Sequence, residues 1–169
     1  TNSDLANIKI AKEMGVTGVM QPFVRDHSDL ECVKEALREA GAEDIRLFAK
    51  IENMDGVRKL EKLLPAADEI VIARGDLGNA VHLWDLPGVQ RQISEKCRAA
   101  GKPFMVVTQM LASMERSPVP TRAEVNDIFH AVMDGAASIM VTGETAVGDY
   151  PVEVIRYMVN TVRSAEKKE

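Results

Sequence analysis

Short apolar runs alternate with longer amphipathic stretches along this chain at a near-regular interval, and that rhythm leaves few folds open. IRLFAK (45–50), EIVIA (69–73), FMVVT (104–108) and SIMVT (138–142) have strand length, and each precedes a stretch with helical periodicity. The expected order is helix 3–14, with Ser3 or Asp4 as N-cap, a strand within VTGVMQPF (16–23), helix 28–40, strand 45–50 and helix 55–64. Strand 69–73, helix 87–100, strand 104–108, helix 121–134, strand 138–142 and helix 151–166 follow. Gly15, Gly41, Gly101 and Gly135 stand where four of these helices should stop. Candidate strand ends at Lys50, Arg74, Thr108 and Thr142 lie 24, 34 and 34 residues apart, the spacing of βα repeats. About five βα units after one helix imply a parallel sheet with right-handed crossovers.

Two architectures share that pattern: an open doubly wound sheet and part of a (β/α)8 barrel. The first usually carries a glycine-rich phosphate loop after its first strand, and neither GxGxxG nor GxxxxGK[ST] occurs. Polar residues instead follow nearly every strand, and in a barrel those ends converge on one site.

Composition narrows the chemistry. Aromatic residues make up only 4%, so the core must be built from Ala, Val, Ile, Leu and Met, and the nine methionines read as core filling. A net charge of −5 without a basic run argues against nucleic acid as a partner. No apolar run approaches a membrane span, and the opening TNSDLANIKIAKEMGV lacks signal-peptide shape. Cys32 and Cys97 form neither a disulfide framework nor a zinc pair, so a reducing cytoplasm is the expected setting. With no Pro/Gly/Ser-rich linker, residues 1–169 are expected to form one domain.

The strand ends carry the candidate chemistry. Lys50 and Glu52 point to one side of an extended segment, a cation and a carboxylate that suit a phosphate-plus-metal site or a plain salt bridge. Ala73-Arg74-Gly75-Asp76-Leu77-Gly78 reads as a tight turn whose backbone N–H groups can face an anion while Asp76 faces a metal. The bland reading is an Asp-Gly turn with a structural arginine. Glu52 and Asp76, on adjacent strand ends, are the best pair for a hard divalent cation. Thr108 and Thr142 can each cap a helix, bind substrate or relay a proton. Glu144 is either a site carboxylate or an orienting group. His27, His82 and His130 show no ligand spacing.

Taken in order, KIENMDGV (50–57), ARGDLG (73–78), GKPFMVVTQML (101–111), SPVPTRAEVNDI (117–128) and DGAASIMVTGETAVGDYP (134–151) closely resemble the pyruvate kinase family. The resemblance runs from about Asp4 to about Val162 and implies the C-terminal part, about five βα units, of a (β/α)8 TIM barrel. It implies that Lys50 neutralises a transferring phosphoryl group and that Glu52 and Asp76 hold Mg²⁺ or Mn²⁺. Ala73, Arg74, Gly75 and Asp76 would shape the substrate floor, with the N–H groups of Gly75 and Asp76 meeting a carboxylate. Thr108 would touch substrate and help protonate the enolate. The implied partners are phosphoenolpyruvate or pyruvate and ADP or ATP, with K⁺ and a homo-oligomer in the full-length protein, and with the fragment inactive alone. Arg122 would reach a neighbouring subunit, although Thr121 and Glu124 also make a local capping box.

The chain departs from the family at Gln21-Pro22-Phe23-Val24-Arg25, where a serine usually precedes Phe-Ile/Val-Arg; proline offers a phosphate neither hydroxyl nor N–H. NAVHLWDLPGVQRQ (79–92) replaces the usual Glu-Ile-Pro-type segment. The family's first three barrel strands, its lid domain and its C-terminal domain have no counterpart here. Two other classes share the residue pattern: a metal-dependent aldolase or lyase acting on pyruvate enolate, and a non-catalytic assembly module.

Overall fold

The computed structural model describes residues 1–167. Its centre is a sheet of five parallel strands in chain order: β1 (Gly18–Gln21), β2 (Arg46–Ile51), β3 (Glu69–Ala73), β4 (Phe104–Val107) and β5 (Ser138–Met140). Nine α-helices are present among the described residues: α1 (Asn2–Ala11), α2 (His27–Glu39), α3 (Met54–Arg58), α4 (Leu60–Leu63), α5 (Arg74–Ala80), α6 (Leu86–Ala99), α7 (Arg122–Met133), α8 (Gly143–Ala146) and α9 (Pro151–Glu166). No helix among the described residues is long and apolar enough to cross a membrane.

Side-chain alternation separates the two faces of the sheet. Leu47, Ala49 and Ile51 of β2, Ile70 and Ile72 of β3, and Phe104 and Val106 of β4 belong to one buried cluster with residues of the surrounding helices, including Leu30, Leu60, Ile93 and Ile128. The opposite face holds a second cluster built only from strand residues, Val71, Ala73 and Val107 packed with Phe48, Met105 and Met140. A doubly wound sheet carries helices on both faces; one helix-covered face and a strand order that never reverses are features of a barrel wall. The isoleucines of β2 and β3 point to the helices, and the strand-only face combines Val, Met, Ala and Phe with polar residues. At the N-terminal ends of the strands, Arg46 Nη2 lies 3.0 Å from Glu69 Oε2, and Ser138 Oγ donates to Glu69 Oε1 at 2.7 Å. That carboxylate links β2, β3 and β5.

Local sequence explains most element ends. Thr1 caps α1, two residues before Ser3 and three before Asp4, because the Asp4 carboxylate can bond back to it in a capping box. Asp26 caps α2 in the same way, with Asp29 returning. The expected helix 55–64 is broken at Lys59, with Val57, Leu60 and Leu63 buried on either side. Pro65, which cannot donate to a continuing helix, sits in a closing 3₁₀ turn. Of the methionines, Met110 and Met114 are fully buried, whereas Met14, Met20 and Met133 are exposed, so core filling holds for only part of the set.

Each outer strand, β1 and β5, pairs on one side only. An unpaired strand edge is a template for another chain. The isolated 169-residue chain is therefore expected to self-associate, with a sedimentation-averaged mass that rises with concentration. A constant monomeric mass across the series would contradict this reading of the sheet.

Candidate active site at the strand ends

Lys50 and Glu52 do face the same side where β2 ends, with Lys50 Nζ 2.8 Å from Glu52 Oε1. The Glu52 side chain is 2% exposed, and its second oxygen accepts the Phe23 N–H at 2.7 Å. A buried carboxylate needs such partners, since removing one strands a charge at a cost of about 3–5 kcal/mol. Phe23 can aim its N–H there because it adopts φ +52°, while Val24 behind it is fully buried and donates to Lys50 O at 3.3 Å. Asn53 ties the same segment down, its side-chain NH₂ donating to Val24 O at 3.1 Å and its Oδ1 capping α3. The residue after Pro22 thus supplies the N–H that proline lacks, and directs it to Glu52.

The segment after β3 differs from the tight turn expected of ARGDLG: it begins α5 directly at Arg74. Gly75 keeps a negative φ, so space and not a turn conformation demands glycine. A Cβ there would sit 3.1 Å from Thr108 Cγ2. Arg74 folds back against the β4 loop. Its Nε and Nη2 donate to Thr108 O at 3.2 and 2.7 Å, and Nη1 pairs with Asp127 of α7 at 2.6 Å. Asp76, in the first turn of α5, is exposed, and its side chain makes no hydrogen bond or ion pair among the described residues.

Beyond Val107, Thr108 (φ +84°) and Gln109 (φ +54°) are both left-handed, which ends β4 one residue earlier than expected. Left-handed backbone at a β-branched residue is strained and persists only when its surroundings hold it. Arg74 grips the carbonyl of Thr108, and the N–H of Leu111 donates to Glu144 Oε1 at 3.2 Å. Glu144 Oε2 accepts the Thr142 N–H at 2.8 Å, and the whole residue is buried. Farther along, Ser113 donates through its N–H and hydroxyl to the Glu124 carboxylate at 2.7 and 2.6 Å. The capping box of Thr121 and Glu124 is formed. Thr142 makes no side-chain cap to α8.

The structure thus joins Lys50 with Glu52, and Arg74 and Gly75 with Thr108, on adjoining strand ends; β2 and β3 pair directly up to Ile51–Ile72. No group of three or more His, Cys, Asp or Glu side chains among the described residues could hold a metal. A hard cation that keeps substrate oxygens and water needs only one or two carboxylates, and Glu52 with Asp76 fits that smaller requirement in ligand type. Asp127 escaped sequence reasoning because its partner Arg74 is 53 residues away and no local pattern links them. The histidines take ordinary roles: His27 near Glu31 at 3.5 Å, His130 bonded to Asn126 O at 2.8 Å, and His82 stacked on exposed Trp84 at 4.7 Å in the 79–92 segment. Burial pushes the Cys97 thiol up to about 12, while Cys32 is exposed.

A parallel sheet wound in chain order, helices on one face, and polar side chains gathered at the C-terminal strand ends define a portion of a (β/α)8 barrel. The family model for the pyruvate kinase barrel domain matches residues 1–155. The chain belongs to the pyruvate kinase family. It is 42% identical over 167 residues to pyruvate kinase of Bacillus licheniformis, covering 99% of this chain and 28% of that protein. It is 42% identical over 166 residues to the Dictyostelium discoideum enzyme, covering 98% and 32%, and 38% identical over 168 residues to that of Clostridium acetobutylicum, covering 99% and 36%. The chain spans about a third of the length of the relatives it matches.

Burial opposes ionisation of Glu124, but hydrogen bonds from Ser113 and Thr121 outweigh it and hold the carboxyl below its ordinary range. A lowered folded-state value contributes stability above the ordinary glutamate range that is lost as pH falls through the folded value. Glu124→Ala is expected to cost about 1–3 kcal/mol at pH 7. The gap in melting temperature between wild type and variant should close as pH drops below the ordinary glutamate range. A gap independent of pH would show that the lost contact is not one of charge.

Proposed function

We propose that the full-length protein transfers a phosphoryl group from phosphoenolpyruvate to ADP, giving pyruvate and ATP, and that residues 1–169 supply one partial barrel domain with the metal and phosphoenolpyruvate site. The observation that carries this reading is half-buried Lys50 paired with buried Glu52, 2.8 Å apart, at the end of the strand beside Ala73–Asp76. In the transfer, the P–O bond to the enol oxygen breaks and a new one forms to the terminal phosphate oxygen of ADP. The enolate left behind takes a proton at its methylene carbon. Such chemistry depends on positioning and charge neutralisation more than on covalent work by the protein.

Lys50 neutralises the phosphoryl in flight. Glu52 and Asp76 hold Mg²⁺ or Mn²⁺, which supplies charge to bind and orient the substrate's oxygens. Gly75 and Asp76 offer first-turn backbone N–H groups of α5 to the substrate carboxylate, and Ala73 and Arg74 floor the site. Thr108, in contact range of the Gly75 position, helps protonate the enolate. K⁺, the remaining nucleotide contacts, a homo-oligomeric assembly with Arg122 at a subunit contact, and a cytoplasmic setting belong to the same proposal.

Lys50→Met in the full-length protein should lower kcat about a hundredfold or more while changing KM for phosphoenolpyruvate little, as expected for a contact made mainly in the transition state. A lactate dehydrogenase-coupled assay reads both, with melting temperature as a check that Glu52, left with the Phe23 N–H, still folds. A folded variant with near-normal kcat would reduce Lys50 to a salt-bridge partner. An aldolase or lyase would not need Lys50 for a phosphoryl group, so aldol cleavage that survives this substitution would favour that class.

A further inference from the structure

We infer that Glu144 is a positioning residue that aims Thr108 for proton delivery, an inference that rests on the functional reading above. Thr108 and the next residue are left-handed, so the chain leaving β4 does not continue the strand and its course must be imposed from outside. Only two side-chain anchors bond the backbone from Thr108 to Leu111 in the described residues: Arg74 at the carbonyl of Thr108, and Glu144 at the N–H of Leu111. Glu144 is 2% exposed, and both of its oxygens accept backbone N–H groups, one from Leu111 and one from Thr142 at the end of β5. A carboxylate with two bonds to main-chain donors and almost no contact with water acts as a clamp between them.

The backbone around Glu144 is closely packed. A side chain at Gly143 would strike Glu115, and one at Gly148 would strike the carbonyl of Glu144 itself. The Asp149 N–H donates to Glu115 O at 2.9 Å, and Arg116 pairs with Asp149 at 3.0 Å, so the loops after β4 and β5 are joined beyond the carboxylate as well. Arg74 therefore fixes the Thr108 carbonyl from the β3 side, while Glu144 fixes the far end of the same short segment from the β5 side. Between them they set where the Thr108 hydroxyl lies relative to Gly75. Loss of either anchor relaxes a strained backbone, and a displacement of about 1 Å at a reacting group can cost about a hundredfold in rate.

Glu144→Gln is the direct test, because it keeps size and one acceptor oxygen but cannot accept from both N–H groups. Glu144→Asp restores the charge on a shorter arm. Both are made in the full-length protein, and two reactions are followed: ADP phosphorylation by phosphoenolpyruvate, and exchange of pyruvate methyl protons with D₂O by NMR. The second isolates proton transfer at carbon, where a proton leaves the methyl group and a deuteron from solvent takes its place. We expect Glu144→Gln to slow methyl exchange about 10–100-fold, with KM for phosphoenolpyruvate changed less than about threefold. Glu144→Asp should recover part of the exchange rate. A variant with wild-type exchange overturns the inference. So does one whose KM and both rates collapse together with melting temperature, since that would make Glu144 a fold residue only. A wild-type protein that catalyses neither reaction overturns the functional reading itself, and this inference with it.

Discussion

Five parallel strands, each with side chains alternating between a helix-covered face and a strand-only face, impose almost everything else in this molecule. Because Leu47, Ala49, Ile51, Ile70 and Ile72 are committed to the helices, their neighbours Phe48, Lys50, Val71 and Ala73 must line the other side. Alternation carries Glu52 to the same side as Lys50, at the point where the strand ends and the backbone of the 22–25 segment can reach it. The core therefore fixes the site. A slip of one residue in β2 would turn both ionisable groups into the helix layer, away from the Phe23 N–H that Glu52 accepts.

Polar groups on the strand-only face divide by height. Arg46, Glu69 and Ser138 bind one another at the N-terminal strand ends, and Lys50 and Glu52 pair at the C-terminal end of β2. Between them lies the apolar layer of Phe48, Val71, Met105, Val107 and Met140. In a barrel the first group serves stability and the second serves function. The β4 loop is held from outside the sheet. Arg74, Glu144 and Glu124 reach it from three other elements: Arg74 bonds the carbonyl of left-handed Thr108, and Glu144 bonds the N–H of Leu111 beyond left-handed Gln109.

Much of this was legible in the residues alone because it depends on short-range pattern. Strand 69–73 is found at the expected residues, and Lys50 with Glu52 share a face as period-two alternation requires. What sequence could not give depends on partners distant in the chain. The glycine of ARGDLG looks like a turn residue, yet Gly75 is needed for the approach of Thr108, which no local rule reveals. Asp127 gains meaning only from Arg74. Phe23 has no local signature of its role: Pro22 lacks an N–H, and only the folded chain brings the next one to Glu52. The helix after β2 read as continuous because a break at Lys59 has no residue signature of its own; only Pro65 announces an end.

The central claim is that two carboxylates on neighbouring strand ends, one buried and paired, the other exposed and unengaged, hold a divalent cation. The direct measurement is Mn²⁺ titration of the full-length protein followed by electron paramagnetic resonance, for wild type, Glu52→Gln and Asp76→Asn. One tight site should appear in the wild type in the presence of oxalate as a substrate-like anion. Each substitution should weaken it about tenfold or more, since such ions are held by only one or two protein carboxylates. Mn²⁺ affinity unchanged in both variants, with the proteins folded, would contradict the account.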